Sequence, residues 1–317
     1  MRRAQVWQLR ETLREHPSAP VRMQHCGRTR YEKEAVLQRG EGDAGWWAGV
    51  VRCRSRICPV CWIARRAKQA HEIAQVVEAR ETETGAVSCL LTLTVRHGAN
   101  DGVELAREVR SCWRALLQRR RWRTWREQYG IEFIAAEEVT HGKHGWHPHI
   151  HSLLLPSRSL PDPIVDGDRL FEEWCALVVK RLGERFAPSL EHGVDIRPCH
   201  VDDYLTKLGI EVADPYAVKG KAPLALLSDG ELELYVKLQL SRTRARDITF
   251  SRGLRTIRDT LPDADQPADL LSVGGTEWSR LVRKGPAAML DVMEAGTDPE
   301  TARAAVDYWL TRAVSVD

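Results

Sequence analysis

A chain of 317 residues can form two or three compact units, and 43% hydrophobic with 29% charged residues describes an ordinary globular protein. A net charge of +3 does not by itself imply a polyanion partner, and no apolar stretch approaches the length of a bilayer-spanning helix. The distribution of charge says more than its sum: Arg far outnumbers Lys, and Arg suits bidentate phosphate contacts.

The N-terminus, Met1-Arg2-Arg3-Ala4-Gln5, leads into a charged segment rather than the apolar run of a secretory signal. The eight Cys fit a reducing, cytosolic setting. Cys58-Pro59-Val60-Cys61 is half of a zinc site, a tight turn that puts two thiolates on one ion. Cys53 and Cys26 can complete a tetrahedral set, and His25 can replace Cys26. A redox role for the Cys-x-x-Cys pair is disfavoured, because no thioredoxin-like strand precedes it. Cys89, Cys112, Cys175 and Cys199 are scattered in apolar contexts and read as buried free thiols.

Residues 62–80 carry Ile63, Ala67, Ala70, Ile73, Ala74 and Val77 at helical spacing, and 81–85 form a turn. In 87–95 Leu91, Leu93 and Val95 alternate with Thr92 and Thr94, which predicts a strand. Residues 105–128 predict one long helix or a broken pair. Within them Arg119, Arg120, Arg121, Arg123 and Arg126 are interleaved with Trp122 and Trp125. Arginines with aromatics suit a nucleic-acid backbone with stackable bases, or else a solvated helix face over core tryptophans.

Strands are expected at 131–140 and 149–155, joined by Gly142, Lys143 and Gly145 as an antiparallel hairpin. The second carries His147-Pro148-His149-Ile150-His151. Residues two apart on a strand share a face, so His149 and His151 can aim at one metal ion while Ile150 turns to a core. Strand pairing places Glu138 beside them. His147 shares their face, with Pro148 as a candidate strand breaker. A helix at 170–178, a short strand at 194–197, a helix at 201–208 and a Gly/Pro/Lys-rich loop at 211–230 follow. From about 262 the composition shifts to Pro and Asp and then to a helical tail, with a capping box expected from Thr297 and Glu300 around Pro299. There is no internal repeat.

The blocks Glu138-Val139-Thr140-His141-Gly142, Gly145-Trp146-His147-Pro148-His149-Ile150-His151, Tyr204-Leu205-Thr206-Lys207 and Ile248-Thr249-Phe250-Ser251-Arg252-Gly253-Leu254-Arg255 resemble those of rolling-circle plasmid replication initiators. These belong to the HUH endonuclease superfamily, named for two His flanking a bulky apolar residue. The resemblance covers roughly residues 20–260. It implies an α+β fold: an HUH core with a central antiparallel sheet of four or five strands and helices packed on one face, preceded by a small zinc module. The expected domains are 1–84 (zinc-binding module and linking helix), 85–260 (nicking and joining endonuclease) and 261–317 (helical tail).

The resemblance also implies a reaction. A tyrosine attacks a phosphodiester at the plasmid origin, leaving a 5′-phosphotyrosine and a 3′-OH primer, with a divalent cation, Mg²⁺ or Mn²⁺, on the histidines. Glu138 is the candidate third ligand and His147 its alternative. Of six tyrosines, Tyr204 lies in a helical pattern with Lys207 one turn on, where an ammonium can lower the phenol pKa or bind phosphate. Tyr216 also has a Lys three residues on but follows Pro215 in a loop, and Tyr235 lacks that Lys. Some members carry a Glu one turn before the tyrosine; here that position is His200, with Asp202 and Asp203 nearby.

The implied partners are origin DNA and a host helicase, in the bacterial cytoplasm, with no membrane and no defined oligomeric state. Without a Gly-rich phosphate loop, ATP-driven unwinding by this chain itself is not expected. The rivals are a single-tyrosine HUH transposase or relaxase and a cleavage-incompetent, zinc-containing DNA-binding regulator. Relaxases place the tyrosine before the histidines; here it follows them.

Overall fold

The computed structural model describes residues 3–39, 45–160, 163–200, 220–242, 246, 248–261 and 267–312. The predicted helix at 201–208, with Tyr204 and Lys207, and the loop residues up to 219 lie outside the described residues. The chain divides into two compact units: Met1–Trp62 with Pro262–Asp317, and Ile63–Leu261. Residues 1–62 of the first expected domain therefore share a unit with the C-terminal stretch.

In the first unit, α1 (Arg3–Arg14) precedes strands β1 (Ala35–Arg39) and β2 (Trp46–Ala48). Strand β8 (Ala268–Val273) closes an antiparallel sheet in the order β2-β1-β8. Helices α9 (Gly275–Arg283), α10 (Pro286–Ala295) and α11 (Pro299–Thr311) follow. The stretch after 262 is thus not helical throughout. Exposed Asp269 and half-buried Leu270 and Leu271 weaken its strand signal, and β8 exists because β1 supplies a partner from Ala35↔Val273 to Arg39↔Ala268. Buried Trp47 and Trp278 meet edge-on at 5.0 Å, and each indole donates to a backbone carbonyl, of Met289 and Arg28 respectively. The last helix is capped one residue later than the sequence suggests. Asp298 accepts from the amides of Glu300 and Thr301, and the Thr301 hydroxyl accepts from the Asp298 amide, so the box is Asp298 with Thr301.

Helix α2 (Pro59–Thr84) runs through the expected turn at 81–85 before β3 (Cys89–Thr94). The segment 105–128 is a broken pair, α3 (Leu105–Leu116) and α4 (Arg120–Tyr129), the latter stopped by Gly130 at φ 58°. Then come β4 (Glu132–Gly142), β5 (Gly145–Leu155), α5 (Pro163–Leu182) and β6 (Val194–Pro198). Pro223–Ser228 is helix α6, inside the expected loop, because Leu224, Ala225, Leu226 and Leu227 are all buried. Helix α7 (Leu232–Ser241), β7 (Ile248–Phe250) and α8 (Arg252–Thr260) complete the unit. Pro148 does not break β5. Pairing with β3 ends at Thr94↔His149, so that edge of β5 has no strand partner at 148, a place where proline is tolerated.

The five-stranded sheet is antiparallel throughout, in the order β6-β3-β5-β4-β7. Helices cover both faces, not one. Leu91, Leu93, Phe133, Ile150 and Leu154 pack against Val109, Trp113 and Leu116 of α3, Trp122 of α4 and Trp174 and Leu177 of α5. On the other face Leu90, Ile134, Leu153 and Leu155 pack against Ile73, Val76 and Val77 of α2 and Leu254 of α8. The apolar alternation of each strand, out of phase between its two sides, requires two covers.

Trp174 is fully buried and its indole donates to Thr94 O at 2.7 Å. Trp174→Ala is expected to cost about 3–5 kcal/mol, read as the loss of unfolding free energy in a urea titration followed by circular dichroism.

Candidate active site and metal centres

The β4–β5 hairpin reverses through Lys143 and His144, with Gly145 at φ 82°. A Cβ at Gly145 would stand 2.9 Å from Gly98 O and 3.0 Å from Ala99 Cα, so both backbone conformation and space demand glycine. The resulting register pairs Glu138 with His149 and Ala136 with His151. Directly paired residues share a face, so Glu138, His149 and His151 gather on the Leu153 side of the sheet, away from Ile150.

Glu138 Oε2 lies 2.7 Å from His149 Nε2 and 3.0 Å from His151 Nε2. The two rings meet edge-on at 4.6 Å. Each ring is held through its other nitrogen: His149 Nδ1 is 3.3 Å from His147 O, and His151 Nδ1 is 3.1 Å from Thr92 Oγ1. With Nδ1 donating, each Nε2 is left facing Glu138: it donates to the carboxylate when protonated, and on losing that proton it presents a lone pair to a cation. Burial raises the Glu138 pKa, but hydrogen bonds and charge from His149 and His151 outweigh it and hold the carboxyl well below its ordinary range. The donors, two imidazole nitrogens and one carboxylate oxygen, suit a divalent cation and leave coordination positions over.

His147 is on the same face but outside this trio. Its ring stacks on His97 at 4.7 Å and stands 5.0 Å from His149. Burial, then the charges of His149 and His97, push it down to about 4, so it is neutral at physiological pH. Sequence reasoning misses Thr92 and His97. The alternation of Thr92 and Thr94 in β3 is a usable signal for the first; nothing local marks the second.

Cys26, Cys53, Cys58 and Cys61 form a second cluster. Their sulfurs lie 3.5 Å (Cys26–Cys61), 3.6 Å (Cys53–Cys61) and 3.9 Å (Cys26–Cys58) apart. Four sulfurs at about 2.3 Å from a tetrahedral zinc would be about 3.8 Å apart. All eight Cys are free. Shared thiol hydrogen bonds push Cys58 and Cys53 up and Cys26 down, so the thiols share their protons as one set, and binding a cation would release protons from it. Pro59 opens α2, placing Cys61 in its first turn, where the helix dipole favours a thiolate. Arg10 Nη1 donates to Cys26 O at 2.8 Å with the guanidinium over Trp7, which fastens the Cys26 loop to α1. His25 is turned to the Thr29 hydroxyl, so Cys26 supplies the fourth sulfur.

The arginine run spans the N-cap of α4, Arg119, and the helix itself, whose Trp122 packs under the opposite face of the sheet from the histidines. Arg119 and Arg121 pair with Glu172 and Glu173 of α5, and Arg126 pairs with Glu132. Tyr235 is fully buried in α7, a packing residue. No described helix is long and apolar enough to cross a membrane.

The model of a replication protein family, Rep_1, matches residues 47–289, most of the chain and all of the five-stranded sheet. The chain belongs to that family. Proteins named "Protein rep" are similar to it. One from Streptomyces lividans is 26% identical over 232 residues, 58% of this chain and 50% of that protein. One from Lentilactobacillus hilgardii is 26% identical over 227 residues, 70% of each. One from Streptococcus pneumoniae is 28% identical over 191 residues, 59% of this chain and 54% of that protein. The chain thus spans about half the length of two of these relatives. No solved structure matches it.

Thr92→Val keeps the side-chain shape but removes the partner of His151 Nδ1. Affinity for Mn²⁺, measured by calorimetry, is expected to fall by about 10–100-fold with the fold unchanged.

Proposed function

We propose that this protein initiates plasmid rolling-circle replication as an HUH endonuclease, nicking and rejoining one DNA strand at its origin. The observation that carries the reading is the convergence of His149, His151 and Glu138 within 3.0 Å on one face of a central strand pair, in a chain of a replication protein family.

The trio would hold Mg²⁺ or Mn²⁺. Such a cation, when bound, withdraws charge from a non-bridging oxygen of the scissile phosphate and orients the bond for in-line attack. Tyr204 is the proposed nucleophile and Lys207 its cationic neighbour; both rest on the resemblance of their block. The phenolic oxygen forms a bond to phosphorus as the bond from phosphorus to the 3′ oxygen breaks. The phenol proton passes through solvent to the released oxygen, which becomes a 3′-OH primer. The phosphotyrosine conserves the bond energy for rejoining, so no ATP is consumed. Thr92 and the His147 carbonyl orient the two imidazoles throughout. The partner is origin DNA, the compartment the bacterial cytoplasm, and unwinding falls to a host helicase.

Cys26, Cys53, Cys58 and Cys61 are proposed to hold one structural Zn²⁺. Its binding energy then belongs to the folding of residues 20–65. Elemental analysis of protein purified without added metal should find zinc near one equivalent per chain, and Cys58→Ser should lose it and expose this region to limited proteolysis. A metal-free protein with a protease-resistant N-terminal region would leave the four as buried thiols.

The nicking reading is tested on supercoiled plasmid carrying the origin and on single-stranded origin oligonucleotides. Cleavage should stop with chelator and return with Mg²⁺ or Mn²⁺. His151→Ala should abolish cleavage while DNA binding persists, and Tyr204→Phe should fold but form no covalent adduct. A nucleotide remnant mapped to Tyr216 would show that the nucleophile is misassigned. Efficient cleavage with no adduct would mean a water-using nuclease, and DNA binding without any cleavage a regulator.

A further inference from the structure

The arginine run is not used by the proposed chemistry, and α4 stands across the sheet from the Glu138–His149–His151 trio. Between α4 and α5 lies a cavity of about 760 Å³, with Arg120, Arg121, Trp125, Arg169 and Glu173 in its lining. That volume is in the range of roughly 300–1,000 Å³ that holds small ligands.

The two helices are bridged by Arg121–Glu172 at 3.2 Å and by Arg121–Glu173 and Arg119–Glu173 at 3.5 Å. Those pairs commit Arg119, Arg121 and both glutamates. Arg120 and Arg123 are exposed, and no ion pair engages them among the described residues. Of the two, Arg120 lines the cavity, so its wall carries surplus positive charge.

The two tryptophans differ. Trp122 is 1% exposed and sits in the core. Trp125 is half-buried, lines the cavity and rests against Trp122 with ring centroids 5.5 Å apart. Its Nε1, shielded from solvent, has no hydrogen-bond partner among the described residues. A flat aromatic wall backed by core, beside uncommitted guanidinium charge, matches an unpaired base with its phosphate.

We propose that the α4–α5 cavity is a single-stranded DNA subsite, in which Trp125 stacks a base and Arg120 pairs with a phosphate. The choice of DNA as the polyanion rests on the nicking reading. The sheet and its helix layer put on the order of 20 Å between this cavity and the metal face. Its occupant is therefore a flanking stretch of the strand, several nucleotides from the cut.

The test is binding by the full chain, in chelator so that nothing is cleaved, of a fluorescein-labelled thymidine homopolymer. A length of about twenty nucleotides exceeds the roughly 4–16 that a compact single-strand binder covers. Arg120→Glu, a solvent-side change, should weaken binding roughly tenfold and reduce the slope of log affinity against log salt by about 0.7, the value for one single-strand phosphate contact. Trp125→Leu should weaken it by about 5- to 100-fold with an unchanged slope, as loss of stacking does. Circular dichroism checks both folds; if Trp125→Leu fails to fold, Arg120→Glu alone decides. Wild-type affinity and slope in Arg120→Glu would overturn the proposal, and so would a wild-type chain that ignores the homopolymer or a loss confined to duplex DNA. Binding with these signatures by a chain that never cleaves origin DNA would sink the nicking reading and leave the subsite standing. Cleavage without these signatures would do the reverse.

Discussion

The pairing of Glu138 with His149 across β4 and β5 governs where every other polar group on that face of the sheet can go. Side chains alternate along a strand, so a slip of one residue in β5 would turn both imidazoles into the helix-covered core and bring Ile150 out to the carboxylate. The close approach at Gly145 leaves no room for a different reversal. The apolar residues reinforce the same register, since Ile150 and Leu154 are buried only when His149 and His151 are on the other side.

Along β5 a single face changes character within two residues. His149 and His151 serve the trio; Leu153 and Leu155 continue the same row but lie under α2 and α8. Neighbouring carboxylates on β4 divide in the same way. Glu138 faces the imidazoles. Glu137, on the reverse side and 5% exposed, is 2.6 Å from Arg110 and 3.8 Å from Arg242, whose Nη2 also donates to Glu137 O. A buried carboxylate flanked by guanidinium groups fastens α3 and the end of α7 to the strand that carries the site. Removing one partner of such a cluster typically costs about 3–5 kcal/mol.

Much of the site is legible in the residues themselves. The His149–Ile150–His151 alternation, the glycines of the hairpin and the Cys58–Cys61 spacing are local patterns, and each corresponds to a local geometry. What escapes is set by distant partners. Strand β8 has a weak alternation of its own and needs β1 beside it. The α6 residues sit in a Gly- and Pro-rich stretch whose helix is settled by burial. Thr92 matters because it pairs with His151 across 59 positions of chain, a contact that no spacing rule contains. The arginine run shows the complementary difficulty. Composition marks it as phosphate-seeking, yet only the fold reveals which of its members are already paired across to α5.

The pairing of β1 with β8 has a consequence for how the protein is made. Val36 meets Ser272, so the unit that holds the four clustered cysteines completes its sheet only after Ala268–Val273 has been synthesised. Contacts of such sequence separation carry a large loop-closure cost and form late. The intervening unit, with its β4–β5 hairpin, can condense on the ribosome while β1 still waits, an exposed apolar strand, for its partner. A frameshift or nonsense codon ahead of Ala268 would therefore leave β1 without its partner and weaken the unit that holds the four clustered cysteines.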